Sequence, residues 1–266
     1  MPYGVCSFID PPVPTSLALN MADAIPSIPT TISVRPPSKY ASKKGKEPGT
    51  GTDSAFTPPP LEWLYRTWAV THSTLSMWRS AQNVRITYKP YVKPGEEKKT
   101  GDGAAAAAAT SVAIDDLVEY EKKDAEPVGA NIKTVEGIDR PDPAQPLGAA
   151  FDWRGKGWLK IASSHWEILG YGERPIHATA QEGAAAAAGE KDRVERWAVT
   201  WFAPTLFTKE GIDIYSDRMD GLSEETLSAV MAALKKLESA PKIVTLVEKQ
   251  MAPVLIKTSP PPPRET

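Results

Sequence analysis

The sequence predicts an all-β protein: an eight-stranded antiparallel up-and-down β-barrel with one α-helix packed outside. Three observations carry this. Eight segments of alternating or β-branched and aromatic residues follow one another. No helix-period stretch separates them, so successive segments are joined by loops and pair antiparallel. One amphipathic stretch follows the eighth. Closure of eight strands removes both sheet edges and leaves an interior that side chains or one small ligand fill.

Trp63–Ser73 alternates and opens the set behind Pro58–Pro60. Asn83–Tyr91 puts Val84, Ile86 and Tyr88 on one face. Ser111–Tyr120 puts Val112, Ile114, Asp116, Val118 and Tyr120 on one face, and Asn131–Ile138 is the fourth. Phe151–Ala162 and His165–Glu173 follow. In the latter Trp166, Ile168 and Gly170 oppose His165, Glu167, Leu169 and Tyr171, and either face is a candidate for the interior. Val194–Ala203 is apolar on both sides: one face meets the interior and the other the helix. Gly211–Ser216 is the eighth. The helix then starts at Ser223, with Glu224 and Glu225 in its first turn. Leu222, Val230, Leu234 and Leu237 form its stripe, and Lys235 and Lys236 its last turn. A second short helix is expected before Pro253.

Residues 1–55 are rich in Pro, Ser, Thr, Gly and Lys without a period, and are expected to be a disordered arm. Its basic residues Arg35, Lys39, Lys43, Lys44 and Lys46 read as a solvated tail. Residues 56–240 are expected to hold the barrel and helix, and 241–266 a short helix and a Pro-rich disordered tail ending in Pro260–Pro263. The alanine runs within Gly101–Thr110 and Gln181–Arg193 lie between strands and read as expanded loops.

Composition narrows the function. Net charge is −2 and the pI near 6.0, which gives no field for nucleic acid or anionic lipid. No run of 18 apolar residues exists, so no transmembrane segment is expected. The N-terminus lacks a basic n-region, so no signal peptide is expected. The one cysteine, Cys6, permits no intrachain disulfide and suits a reducing, cytoplasmic location. The three histidines, His72, His165 and His177, have no zinc spacing. No GxSxG, P-loop or dinucleotide fingerprint is present. Neither a metal nor a cofactor is expected. The oligomeric state is open.

The Trp68 position, the strand count and the helix after the eighth strand resemble the lipocalin (calycin) family. The strings THSTLSMWRSAQNVRITY, FDWRGKGWLKIASSHWEILGYGE and WFAPTLFTKEGIDIYS are similar to a group of fungal lipocalin-like proteins. The likeness covers roughly residues 58–238. The family's first strand carries Gly-x-Trp; here Arg66-Thr67-Trp68 keeps the tryptophan and lacks the glycine. The resemblance implies that Trp68 plugs the closed end and that Arg218, just after the eighth strand, packs across its indole.

The expected function is therefore binding of a small hydrophobic molecule, such as a fatty acid, polyketide or tetrapyrrole-like metabolite. His72, Trp78, Tyr88, Tyr120, Trp166 and Trp201 are the candidate ligand-binding residues. An alternative is a lipocalin-type enzyme (isomerase, cyclase or de-epoxidase-like), in which His72 and Asp116 on the inner wall share acid–base work. A further alternative is a scaffold whose barrel is filled by its own tryptophans. Asp116, on an apolar face, either faces inward with a partner or is turned outward by a bulge.

Overall fold

The computed structural model describes residues 30–41, 56–93, 113–145, 148–176, 194–206 and 208–257. Eight strands form one sheet: β1 (Thr67–Ser73), β2 (Ala81–Pro90), β3 (Ile114–Lys122), β4 (Lys133–Pro141), β5 (Ala150–Gly155), β6 (Ser163–Pro175), β7 (Val194–Phe202) and β8 (Gly211–Ser216). Each pairs antiparallel with the next, and β1 pairs with both β2 and β8, so the sheet closes. A two-residue strand, β9 (Ala252–Pro253), adds to β1. The alanine runs, His177, Cys6, Val112 and the Pro260–Pro263 tail lie outside the described residues.

Two apolar clusters follow from alternation along the strands. The inner one includes Trp68, Val70, Val84, Ile86, Tyr88, Ile114, Phe151, Trp166, Ile168, Ala198 and Tyr215. The outer one holds Leu169, Trp197, Val199, Trp201, Ile212 and Ile214 against two helices, α2 (Glu224–Lys235) and α3 (Pro241–Gln250). Val230 and Leu234 of α2, with Ile243 and Val247 of α3, are the buried contacts. Ser223 caps α2 by accepting from the Thr226 N–H at 3.2 Å, and Glu195 of β7 accepts from the Ser223 N–H at 2.8 Å. That ties the helix start to the barrel wall. The second short helix expected before Pro253 thus packs on the barrel beside the first, and the chain then returns to β1 through β9.

Three departures from the sequence reading shape the ends and the outer face of the barrel. Trp63 belongs to a short helix, α1 (Leu61–Leu64), not to the first strand. It lies across the end of the barrel, with Trp63 and Leu64 buried. The fifth strand ends at Gly155, and Gly157–Ile161 is a 3-10 turn. Finally, residues 30–41 do not form a free arm. The Arg35 N–H donates to the Leu169 carbonyl at 2.8 Å, and Ile32, Val34 and Tyr40 pack into the outer cluster. The segment crosses β6 where the register slips between Ile168 and Gly170. A Cβ on Gly170 would lie 2.6 Å from the Ser33 carbonyl oxygen, so only glycine admits this close approach.

Candidate functional site

The closed end is built by α1 and the start of β1. Trp68 is fully buried, and its indole N–H donates to the Leu64 carbonyl at 3.0 Å. Trp63 lies 5.0 Å from it, centroid to centroid, and Tyr215 lies 6.4 Å away. The guanidinium over this plug is that of Arg66, at 5.3 Å from the Trp63 ring and 5.4 Å from the Trp68 ring. Its Nε donates to the Trp63 carbonyl at 2.8 Å. Arg218, expected in that place, instead binds Asp220 at the surface. The reason is local: the carbonyl of Trp63 in α1 faces the Arg66 side chain, and Asp217 at 3.7 Å supplies the opposing charge.

The other end opens between three connections, β1–β2, β5–β6 and β7–β8. A cleft of about 960 Å³ runs in from there. Its inner wall includes Ile86 and Tyr88 of β2, Asp116 and Val118 of β3, Trp153 of β5, Trp166 of β6 and Phe202 of β7. Tyr88 stacks on Trp166 at 5.7 Å with a 5° interplanar angle, and Phe151 lies 4.7 Å from Trp166 on the inner side. Around the mouth, Met77, Trp158, Ile161 and Leu206 are exposed apolar side chains on those connections.

His72 does not reach the cleft. The β1–β8 register shifts between Val70 and His72, so His72 stands opposite Ile214 on the outer face. The bulge turns Ser73 inward in its place, where its hydroxyl donates to Asp213 at 2.5 Å. His72 and Asp116 therefore lie on opposite faces of the wall, and the acid–base pair expected from strict alternation does not form. A bulge consumes one residue and inverts every side chain after it. Trp201 also faces away. It sits in the outer cluster and donates to Glu210 at 2.8 Å. Tyr120 packs edge-on against Trp78 at 5.7 Å rather than lining the cleft. Trp78 is buried at the mouth on a 3-10 turn and donates to Asp213 at 3.3 Å. Tyr88 and Trp166 line the cleft.

The ionisable groups buried deepest on the inner wall include three carboxyls, Asp116, Asp139 and Asp213. Asp116 is buried and points inward, with one carboxylate oxygen lacking any hydrogen-bond partner. Burial, then the nearby Asp139, pushes its carboxyl well above the usual range. The Trp153 indole interacts with it from above Gly137, where a Cβ would lie 2.0 Å from the indole nitrogen. Asp139 accepts from the Trp166 indole at 2.8 Å, and burial pushes it up to about 7. Asp213 is likewise raised by burial to about 7, against the bonds from Ser73 and Trp78. Asp139 and Asp213 escaped the sequence reading. Asp139 fell one residue beyond the fourth segment, and Asp213 alternates with Ile212 and Ile214, whose apolar face packs outward against the helices.

Outside the barrel, Glu167 gathers a second polar group. It accepts from Arg35 at 2.8 Å and from the Ser38 hydroxyl at 2.5 Å, and His165 lies 3.7 Å away. Burial would raise Glu167, but these partners bring it down to about 2. Glu167, and after it Asp152 at 2.9 Å, hold His165 up at about 9. The cluster fastens residues 35–38 to β6.

A closed eight-stranded up-and-down meander with helical packing after its eighth strand, plugged at one end and open at the other, is the lipocalin (calycin) fold. Solved structures with a similar trace include H1 crustacyanin from the lobster Homarus americanus. It is 11% identical, with a TM-score of 0.41 over 88% of this chain and 93% of that one. The siderocalin Ex-FABP is 9% identical, with a TM-score of 0.39 over 73% of this chain and 95% of that one. The assignment rests on the strand order itself, not on these distant likenesses. No family model matches the chain. No curated protein matches it. No helix among the described residues is long and apolar enough to cross a membrane.

Proposed function

We propose that the protein holds one small, largely apolar molecule in the mouth half of the barrel. The observation that supports this is the cleft of about 960 Å³ walled by Ile86, Tyr88, Val118, Trp153, Trp166 and Phe202. Its volume lies at the upper end of the usual range for small-molecule sites, about 300–1,000 Å³. Affinity would come from burying the ligand against stacked aromatic rings, worth about 25 cal/mol per Å² of apolar surface. Fatty acids, polyketides and tetrapyrrole-like metabolites are classes that suit it by bulk. A filled scaffold is disfavoured by the cleft itself. The acid–base pair of the enzymatic reading is absent. A cytoplasmic setting remains our reading of the single cysteine.

Tryptophan fluorescence tests the proposal, since Trp78, Trp153 and Trp166 all touch the cleft. Titration with retinoid-like, fatty-acyl and aromatic probes should quench or shift emission saturably. Native mass spectrometry of protein from its own cells should show a retained small molecule. Absence of both responses would overturn the reading.

A further inference from the structure

Resting on that ligand-holding reading, we propose that the molecule held in the cleft is an amphiphilic organic cation: an aromatic or alkyl body carrying a protonated amine, with the amine seated on Asp116. Three independent observations converge on this class.

The first is an unmet acceptor. One Asp116 oxygen is buried without a hydrogen-bond donor, and Asp116 is a wall residue of the cleft. A buried acceptor left unpaired is destabilising, and buried polar groups of folded proteins are almost always paired. The cleft is the side from which a donor can approach Asp116. An ammonium supplies up to three such donors and the compensating charge.

The second is the sign of the interior. Asp139 and Asp213 share the inner wall with Asp116, so three carboxylates look inward from β4, β8 and β3. The basic residues that touch the cleft are Arg140, Arg154 and His165. They stand beside the inward-pointing Asp139, Trp153 and Trp166, so they alternate onto its outer lip. Other groups facing Asp116 are Asp115, Lys156, Tyr88 and Tyr215. Lys156 is spent on Asp115 outside the wall, with Glu136 at 3.8 Å. The Tyr215 hydroxyl, also buried, makes no close hydrogen bond. An anionic headgroup would meet no inward-facing cation among the described residues, which argues against the fatty-acid class. A metal ion is the wrong cation, because no group of three ligating residues stands within reach of one ion among the described residues.

The third is the ring wall. Tyr88 is stacked on Trp166 and stands opposite Asp116 on the adjacent strand. Trp153 closes the other side above Gly137. Aromatic faces attract a cation and accept a flat apolar body.

Proton linkage supplies a signature that a general greasy pocket lacks. Burial favours the neutral acid at Asp116 before binding, while a seated ammonium favours the carboxylate. Binding therefore releases a proton, and amine affinity rises with pH until the acid is ionised or the amine loses its own proton.

The test is calorimetry on the full chain with three matched probes: tryptamine, its alcohol tryptophol, and indole-3-acetate. The expected result at pH 7.5 is tryptamine tighter than tryptophol by about tenfold or more, with indole-3-acetate weakest. Tryptamine binding should release protons, seen as a binding enthalpy that differs between phosphate and Tris buffers. Asp116→Asn should collapse the amine-to-alcohol ratio toward one. Because that variant risks misfolding, the proton release of the unmodified protein stands as a separate readout. Tryptophol or indole-3-acetate binding as tightly as tryptamine would overturn the cation inference and leave ligand holding intact. No binding by these three or by the neutral retinoid-like probes would overturn both.

Discussion

The guanidinium of Arg66 lies 5.4 Å above the ring of Trp68, two residues further along the chain, while Arg218 pairs with Asp220 at the surface. The closed end is thus sealed by a clamp internal to α1 and β1. Arg66 also donates to the Trp63 carbonyl, so a single side chain joins the short helix to the plug. Alanine at Arg66 should lower stability by about 1–3 kcal/mol through the lost charge-assisted bond and cation–π contacts. Alanine at Arg218 should fall within about 0.5 kcal/mol of the parent. Trp68→Ala should cost about 3–5 kcal/mol. Urea unfolding of the three variants checks this, and an Arg218 effect larger than that of Arg66 would refute the arrangement.

The two faces of β6 and β7 should separate binding from stability. Trp166→Leu is expected to weaken an apolar probe about tenfold. Trp201→Leu, on the outer face against the helices, is expected to leave probe affinity unchanged and to lower stability by about 2–4 kcal/mol. Probe titration beside thermal melts reads both quantities from the same samples.

The Glu167 cluster should make the seating of residues 30–41 depend on pH from both sides. Glu167 is depressed from 4.5 to about 2, so its contribution is present above 4.5 and lost as pH falls through about 2. His165 is raised from 6.5 to about 9, so its contribution is full below 6.5 and lost as pH rises through about 9. Attachment should be firmest between about pH 4.5 and 6.5. Hydrogen exchange of residues 33–40 across pH 4 to 9 tests it, and Glu167→Gln should release the segment at every pH. A flat profile in the parent would count against the ion cluster as the fastener.

Asp139 carries the opposite sign. Its carboxyl is raised by burial from 3.8 to about 7, so the cost of ionising it appears as pH rises through that range. Asp139→Asn keeps an acceptor for the Trp166 indole and removes the charge. It should match the parent near pH 4 and exceed it at pH 8 by up to about 3–4 kcal/mol, the three-unit shift expressed as free energy. Chemical denaturation at the two pH values decides the matter; equal stabilities at pH 8 would show that Asp139 ionises without penalty.

The sequence carried the architecture because local signals were sufficient for it. Eight pleated segments with no helix between them permit few closures. The Ser223 cap with its Leu and Val stripe announced the first outer helix, and the second was expected before Pro253. Val84, Ile86 and Tyr88 shared a face by simple alternation, and so did Trp166 and Ile168, although their side of the wall stayed open. What alternation could not reveal was where the period breaks. One extra residue beside His72 moved the only histidine of β1 to the outside and put Ser73 on Asp213. The same slip after Ile168 made room for the Ser33 carbonyl over Gly170.

By itself, then, the order of residues determined the strand count, the antiparallel closure, the helical packing outside and the aromatic richness of the interior. The tertiary structure decided which arginine covers the plug, which tryptophans face the cleft, and that three aspartates meet inside one wall. The physical reason is range. Pleat and helix periodicity act over a few neighbouring residues, whereas bulges, ion clusters and the sign of a cavity arise only when distant strands are brought side by side.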